Sequence, residues 1–385
     1  MESGDNAAPR EESSRKATVS SSTLSGALGL VSRAVSPRST LPVLSNVLLE
    51  TGSDGLRVTA TNLDLTISVV VPATVLEEGR ITVPARLLGE FVSSLGDAPC
   101  TMELEPTTQV LKLTGGVHRA NVHGIDAVEF PPLPARDTET SVEVDSITLQ
   151  NAITQTVMAA SSDETAPVLT GVLLQVEGDR LTLAATDRHR LAVKTIDITV
   201  HGTPPVTSVI VPSRHLSEVA RAVNPNRPTV GIAFAHARNQ VFFTLKDVEI
   251  SSRLIEGTYP NYNQVIPGES TTTVSLPTAS LLREAKTAAV LARDAANPVR
   301  LRIGDGTLTL LAQTAEVGDD EAPLTANVQG DDVQIAFNAR YMLDALSALD
   351  SDEVQLSFNG SLQPGVIRPV GKDDYLCIIM PVRVA

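Results

Sequence analysis

Apolar residues recur with two different periods along the chain. Stretches in which every second residue is apolar predict strands, and stretches with apolar residues three and four positions apart predict helices. Short alternating stretches lie between the helical ones, so we predict an α+β fold in which two helices per domain cover one face of antiparallel sheets. The predicted helices span residues 21–35, 84–95, 146–161, 212–223, 278–293 and 338–349.

The pattern repeats with a period of about 125 residues, which indicates tandem domains. The alternating stretch that begins at Leu56 has counterparts at Leu181 and Leu308, each after a glycine-containing turn typical of a hairpin. A second marker keeps the same spacing: Val83-Pro-Ala-Arg, Val211-Pro-Ser-Arg and Phe337-Asn-Ala-Arg. We predict a disordered tail rich in Ser, Glu and Asp, followed by three domains. The tail covers residues 1–17, and the domains cover 18–138, 139–267 and 268–385.

Composition narrows the class of protein. The formal net charge is −15, which argues against a chain that coats nucleic acid by neutralising phosphates. No apolar run reaches the roughly 18 residues of a membrane-spanning helix. Cys100 and Cys377 lie far apart and fit no metal-ligand spacing. We therefore predict a protein of the reducing cytoplasm that uses no metal or cofactor.

A polar cluster, Asp187-Arg-His-Arg190, interrupts the second copy of the repeated stretch. One hypothesis is an enzyme in which Asp187 and His189 form an acid–base pair. The sequence offers neither a nucleophile in a strained turn nor a glycine-rich oxyanion loop for that chemistry. The other hypothesis makes Asp187 a turn residue that accepts backbone N–H bonds, because Asn62 occupies the same place in the first repeat. Residues 189–191 have no such counterpart, and we expect them to carry function.

The predicted helices are basic although the chain is acidic. They hold eight arginines and lysines against four acidic residues, so their net charge is +4 and the remainder carries −19. Either the helices carry ordinary solvated charges, or they face a polyanion while the sheets face solvent.

Domain size favours the second alternative. A domain of this length has a diameter of about 36 Å. Six such domains in a closed ring leave a hole of about 36 Å, whereas three or four leave at most about 15 Å. B-DNA is roughly 20 Å across and passes only through the larger hole. Two chains of three domains each therefore suit a symmetric dimeric ring.

Five segments, in order and in register with the repeat, resemble the beta subunit of bacterial DNA polymerase III, the sliding clamp. They are Ser36-Pro-Arg-Ser-Thr-Leu-Pro-Val-Leu44, Ala185-Thr-Asp-Arg-His-Arg-Leu-Ala-Val193, Tyr259-Pro-Asn-Tyr262, Phe337-Asn-Ala-Arg-Tyr341 and Ile378-Ile-Met-Pro-Val-Arg-Val384. The resemblance implies a head-to-tail homodimer, domain 1 against domain 3, that encircles double-stranded DNA and has no enzymatic activity. It also implies that short peptides of the polymerase III alpha subunit, the clamp loader, other polymerases and repair factors bind to it, and that it associates with the nucleoid.

The resemblance places a peptide-binding pocket between domains 2 and 3. An apolar trough with a few polar groups suits a peptide with Gln and Leu or Phe anchors, and Asn338 with the backbone of Met380 and Pro381 is expected to hold the peptide's amide. The expected pocket residues are Leu169, Thr186, His189, Arg190, Leu191, Pro260, Val265, Asn338, Tyr341, Leu362, Ile378, Ile379, Met380, Pro381, Val382 and Arg383. The residues expected to face DNA are Arg33, Arg38, Arg214, Arg221, Arg283, Lys286 and Arg293.

Three features depart from the family pattern. Arg188 stands where some members have Gly, and Gln264 stands where some have Arg. The segment 161–167 lacks the aromatic and basic groups that often occur there. A variant or auxiliary clamp with altered pocket specificity is therefore the alternative.

Overall fold

The computed structural model describes residues 15–135, 141–202, 207–235, 239–292, 298–314 and 318–383. Its six α-helices in this part of the chain occur two per repeat, which confirms the predicted α+β class: α1 Ser21–Val31, α2 Ala85–Ser94, α3 Ser146–Val157, α4 Ser213–Ala222, α5 Thr278–Leu291 and α6 Ala339–Ser347. The first predicted helix is shorter than expected because residues 32–34 form a 3-10 turn. Arg293 lies outside the described residues.

Each repeat contributes nine described strands. The first repeat has β1 Arg15–Ser20, β2 Asn46–Gly52, β3 Gly55–Thr61, β4 Leu65–Val71, β5 Ala73–Val75, β6 Arg80–Pro84, β7 Pro99–Glu105, β8 Val110–Gly115 and β9 His118–His123. The second has β10 Ser141–Asp145, β11 Gly171–Glu177, β12 Arg180–Thr186, β13 Arg190–Asp197, β14 Thr199–His201, β15 Thr207–Pro212, β16 Thr229–Ala235, β17 Gln240–Leu245 and β18 Val248–Arg253. The third has β19 Thr272–Pro277, β20 Pro298–Gly304, β21 Thr307–Thr314, β22 Gly318–Thr325, β23 Asn327–Gly330, β24 Val333–Asn338, β25 Glu353–Phe358, β26 Gly365–Pro369 and β27 Tyr375–Ile379.

The first strand corrects the predicted tail. Residues 15–17, which composition assigned to a disordered segment, belong to β1. This strand pairs with β5 on one side and with β7 on the other, so its backbone groups are satisfied within the sheet. The low complexity of the preceding residues hid the alternation of Ala17 and Val19, both of which are buried.

The chain divides into two compact units, and the first holds residues up to 137 together with 242–252. One of its sheets has the strand order β5-β1-β7-β8-β9, and another contains the order β18-β4-β3-β2-β6. Helices α1 and α2 pack against each other, and α1 also packs on β3 and β4. The face of α2 that is buried carries Ala85, Leu88 and Val92, the spacing of an amphipathic helix.

The second unit holds residues 138–241 and 253–385. Its sheets have the orders β14-β10-β16, β15-β11-β12-β13-β27-β26-β25-β19-β23 and β22-β21-β20-β24. Helix α3 packs on α4, β12 and β13, and α5 packs on α6, β21 and β22. Thus each repeat places a helix pair against the sheet that carries the repeated hairpin.

The same strand pairing follows the repeated hairpin in both units. In the first unit β4 pairs antiparallel with β18, the last strand of the second repeat. In the second unit β13 pairs antiparallel with β27, the last strand of the third repeat. Among the described strands, β9 and β22 are each at the edge of a sheet. Edge strands carry unpaired backbone groups and are ready to accept another strand.

Both cysteines are buried in sheets, Cys100 in β7 and Cys377 in β27, and neither forms a disulfide. Removal of the thiols from water raises the pKa of Cys100 to about 11 and the pKa of Cys377 to about 12. These thiols therefore contribute to packing as small apolar groups.

The loop after the repeated strand has one geometry in two repeats. In the first repeat, Asn62 Oδ1 accepts the backbone N–H groups of Asp64 at 3.0 Å and Leu65 at 2.7 Å. In the second repeat, Asp187 Oδ1 accepts the N–H groups of His189 at 3.0 Å and Arg190 at 2.9 Å. The prediction that Asp187 is a turn residue is confirmed.

We expect Asn62→Ala to lower the free energy of unfolding of the first unit by about 1–2 kcal/mol, because two backbone N–H groups lose their acceptor. Asn62→Asp keeps an acceptor of the same shape and should stay within about 0.5 kcal/mol of the wild type. Urea titrations followed by circular dichroism measure both. Equal losses in the two variants would contradict the role given to this oxygen.

Candidate functional site

The side chain of Arg190 is the centre of a buried polar network in the second unit. Its Nε donates to Asp187 Oδ2 at 3.0 Å, and its Nη1 donates to Asp344 Oδ2 at 2.6 Å. Its guanidinium also lies 4.3 Å from the ring centre of Tyr341, a cation–π contact. Only 8% of the Arg190 side chain is exposed, so the two carboxylates compensate a charge that is almost fully removed from water.

This network joins the second repeat to the third. Arg190 and Asp187 belong to the loop and start of β13, whereas Asp344 and Tyr341 belong to α6. Both oxygens of the Asp187 carboxylate are used, one by backbone N–H groups and one by Arg190. A carboxylate held in this way is a structural acceptor, and the arrangement gives no support to an acid–base pair with His189.

An apolar cavity of about 500 Å³ opens beside the loop. Its wall is formed by the loop itself, the 3-10 turn Pro167–Thr170, the linking segment 258–265 and the end of β27. The lining residues are Ala166, Pro167, Val168, Leu169, Thr186, Arg188, Arg190, Leu191, Thr258, Pro260, Asn261, Tyr262, Val265, Ile378 and Met380. Its size and its mostly apolar wall are those of a site for a few side chains of a ligand.

A polar cavity of about 600 Å³ lies next to it and shares part of its wall. Its lining residues are Met158, Ala160, Ser161, Ser162, Asp163, Ala166, Leu169, Asp187, Arg188, His189, Arg190, Arg340, Tyr341 and Asp344. Four residues line both cavities: Ala166, Leu169, Arg188 and Arg190. The two cavities together offer an apolar half and a charged half to one extended ligand.

Tyr259 attaches the linking segment to the loop. Its Oη accepts the backbone N–H of Thr186 at 3.1 Å, and burial raises the pKa of the phenol to about 12. The following residues form the 3-10 turn Tyr262–Val265, in which Val265 is 39% exposed toward the cavity. The segment is thus held at one end and presents an apolar side chain at the other.

The structure brings together ten of the sixteen expected pocket residues. The apolar cavity is lined by Leu169, Thr186, Arg190, Leu191, Pro260, Val265, Ile378 and Met380, and the polar cavity adds His189 and Tyr341. Six expected residues line neither cavity: Asn338, Leu362, Ile379, Pro381, Val382 and Arg383. Leu362 is 71% exposed, and Ile379 is buried in β27.

Two groups expected to hold a peptide amide already have partners. Asn338 Oδ1 is the cap of α6 and accepts the N–H groups of Arg340 at 2.9 Å and Tyr341 at 3.4 Å. The N–H of Met380 donates to the carbonyl of His189 at 2.8 Å. Local capping and strand pairing use these groups, which a motif comparison does not reveal.

Sequence reasoning missed several lining residues. Ala166 and Pro167 end the segment 161–167, which lacks basic groups, and Val168 follows it. Asn261 and Tyr262 belong to the recognised Tyr259-Pro-Asn-Tyr262 segment, and Thr258 precedes it. Asp344 is one of the four acidic residues of the predicted helices, and the sequence pattern gives it no further role. The Pro167-Val-Leu-Thr sequence repeats the Pro42-Val-Leu-Ser sequence of the first repeat, and both form 3-10 turns before a strand, so the repeat itself carried the signal.

The residues expected to face DNA are exposed wherever the structure describes them. They are Arg33, Arg38, Arg214, Arg221, Arg283 and Lys286. Arg221 pairs with Glu218, and Arg283 Nε lies 2.8 Å from Glu284 Oε1, so part of this charge is balanced locally. Among the described residues, no group of three or more His, Cys, Asp or Glu side chains is arranged to bind a metal, and no helix is long and apolar enough to cross a membrane.

Comparison with known proteins identifies the class of this fold. Three family models of the DNA polymerase III beta subunit match in order: the N-terminal domain at residues 16–134, the central domain at 143–261 and the C-terminal domain at 263–383. The beta sliding clamp of Synechocystis sp. is 36% identical over 381 residues, covering 94% of this chain and 97% of that protein. The Staphylococcus aureus beta sliding clamp is 31% identical over 361 residues, covering 91% and 94%.

Solved structures of sliding clamps support the same family assignment. The DNA polymerase sliding clamp of Bacillus subtilis superposes with a TM-score of 0.90 at 30% identity, covering 97% of this chain and all of that one. A Pseudomonas aeruginosa sliding clamp bound to griselimycin superposes with a TM-score of 0.89 at 28% identity, covering 96% and 100%. The chain belongs to the beta sliding clamp family, the beta subunit of DNA polymerase III. It is a DNA sliding clamp, a non-catalytic processivity subunit of the polymerase.

We expect Arg190→Met to lower the free energy of unfolding by about 2–4 kcal/mol, because the carboxylates of Asp187 and Asp344 lose their buried partner. The matched control is Arg188→Met, which removes an exposed arginine two residues away and should change stability by less than about 0.5 kcal/mol. Differential scanning calorimetry compares them. Equal losses of stability in the two variants would show that the Arg190 network contributes little to the free energy of unfolding.

Proposed function

We propose that two copies of the chain form a head-to-tail ring around double-stranded DNA, with domain 1 of one copy against domain 3 of the other. The pairing pattern of the strands is the observation that carries this proposal. β4 pairs with the last strand of the second repeat, and β13 pairs with the last strand of the third. β22 occupies the same place in the third repeat, and β9 is the last strand of the first. Antiparallel pairing of β22 with β9 of a second copy continues the pattern across the two chains.

The charges on the two edge strands favour this pairing. β9 exposes His118, Arg119 and His123, whereas β22 carries the consecutive acidic residues 319–321. Opposite charges on facing strands stabilise the correct partner and disfavour pairing of either strand with a copy of itself. The two edge strands β9 and β22 are therefore complementary in charge as well as in their free backbone hydrogen-bonding groups.

The exposed arginines and lysines of the helices support the assignment of DNA to the hole of the ring. Each individual contact to a phosphate is weak and salt-dependent, which suits a protein that moves along the duplex. Retention on DNA then comes from closure of the ring. The protein acts in the cytoplasm at the nucleoid, where the DNA is located.

We further propose that the two cavities beside the Thr186–Arg190 loop bind short peptides of the polymerase III alpha subunit, the clamp loader, other polymerases and repair factors. The apolar cavity accepts the Leu or Phe anchors, and the polar cavity accepts the hydrophilic part of the peptide. Met380 provides an adaptable wall, which suits a site that serves several partners. A micromolar dissociation constant, about −8 kcal/mol, is sufficient for tethering and still allows exchange.

The ring is tested by retention on DNA. After loading by a clamp loader onto nicked circular plasmid, the wild type should remain through gel filtration at moderate salt and should be lost when the plasmid is linearised. Arg119→Glu should reduce retention on the circle about tenfold, because it places like charges in the β9–β22 pair. Arg80→Glu is the control, since it makes the same change on β6, the edge strand of another sheet. Equal loss of the wild type from both DNA forms would refute encirclement.

The pocket is tested by fluorescence binding of a Gln-Leu-x-Leu-Phe peptide. Val265→Asp places a charge in the apolar cavity and should weaken binding at least tenfold. Val117→Asp, the same change at a 92% exposed position in the first unit, should leave binding unchanged. A chain without residues 380–385 should also bind at least tenfold more weakly, because it lacks Met380. Unchanged affinity in both pocket variants would exclude this site.

A further inference from the structure

The side chain at position 188 is not dictated by the loop that carries it. Arg188 has a φ of 75°, and Leu63, its equivalent in the first repeat, has a φ of 78°. Both loops close in the same way, with the N–H of the left-handed residue donating to the preceding threonine, Thr61 or Thr186. Left-handed backbone favours glycine, so any side chain is retained at some conformational cost. The loop geometry is common to both repeats, whereas the arginine is not.

Arg188 is exposed and lies on the boundary of the two cavities, both of which it lines. Its neighbour Arg190 lines them too but is committed to Asp187 and Asp344. Within the described residues, the guanidinium of Arg188 has no ion pair or hydrogen bond, and only its backbone N–H is bonded. It therefore keeps all five of its N–H donors for a ligand.

The acidic groups around the loop do not neutralise this arginine by contact. Asp187 and Asp344 are bonded to Arg190, and Asp163 accepts the N–H of Thr165 at 2.9 Å. Hydrogen bonds from the backbone and side chain of Thr165 lower the pKa of Asp163, and the charge of Arg188 lowers it further through space. The positive charge of Arg188 thus acts on the rim of the polar cavity, although Arg188 forms no salt bridge there with the described residues.

We propose that Arg188 is a specificity-determining residue that selects clamp-binding peptides with an aspartate or glutamate next to their apolar anchors. The inference rests on the proposed peptide site and names one chemical property of its ligands. A carboxylate beside anchors seated in the apolar cavity lies within reach of the planar guanidinium, which binds carboxylates in a two-pronged geometry. Peptides with a neutral residue at that place lose this contact.

The test uses three matched pairs of peptides built on Gln-Leu-x-Leu-Phe, with aspartate or asparagine before the glutamine, at x, or after the phenylalanine. Fluorescence anisotropy gives the affinities for the wild type, Arg188→Gln, Arg188→Gly and Arg340→Gln. We expect the aspartate peptide of at least one pair to bind the wild type about three- to fivefold more tightly than its asparagine partner at low salt. That preference should disappear in both Arg188 variants, fall at high salt, and persist in Arg340→Gln.

The Arg188→Gly variant also relieves the left-handed backbone, so its Tm should be no lower than that of the wild type and a folding defect cannot explain the result. Equal binding of all pairs to the wild type, or a preference that survives in Arg188→Gln, overturns the selectivity while leaving the peptide site intact. A preference lost only in Arg340→Gln overturns it as well. Absence of any peptide binding to the wild type refutes the proposed site and this inference together.

Discussion

The antiparallel pairing of β13 with β27 is the interaction on which the candidate site depends. It places Arg190 opposite Ile379 and Leu191 opposite Ile378, so residues almost two hundred positions apart in sequence share one sheet. The loop before β13 and the residues after β27 then lie side by side, and the N–H of Met380 closes on the carbonyl of His189. A shift of register by one residue would turn the apolar side chains away from the cavity, and the site would be lost.

The Arg190 network adds direction to this pairing. Backbone hydrogen bonds between strands do not depend on which side chains are paired. A guanidinium with two carboxylates and one aromatic ring, in contrast, fits a single arrangement of the loop against α6. The apolar cluster of Leu173, Leu191 and Ile378 supplies contact area beneath it. The linking segment that carries Val265 is attached to this wall by the hydrogen bond between Tyr259 and Thr186 and by the packing of Tyr259, Tyr262 and Ile266 on the same cluster.

Much of the fold was predictable because it repeats. Helix positions followed from apolar spacing, and the agreement between Asn62 and Asp187 fixed the role of a residue that looked catalytic in isolation. The start of β1 was missed, since composition outweighed a short alternation. The site was predicted less completely. An Asn directly before a helix is a preferred cap, and resemblance to a motif did not use this signal at Asn338. The backbone bond of Met380 depends on a long-range strand pairing that no local pattern specifies. The network of Arg190 with Asp344 joins residues whose distance in sequence gives no periodic signal.

Because both cysteines are buried, the folded chain is unreactive toward thiol reagents. With pKa values of about 11 and 12, Cys100 and Cys377 hold almost no thiolate near neutral pH, and neither sulfur reaches solvent. A single cysteine introduced on the surface would therefore be the only one to take up a maleimide dye while the fold is intact. Fluorescent observation of movement along DNA therefore requires no prior removal of the native thiols.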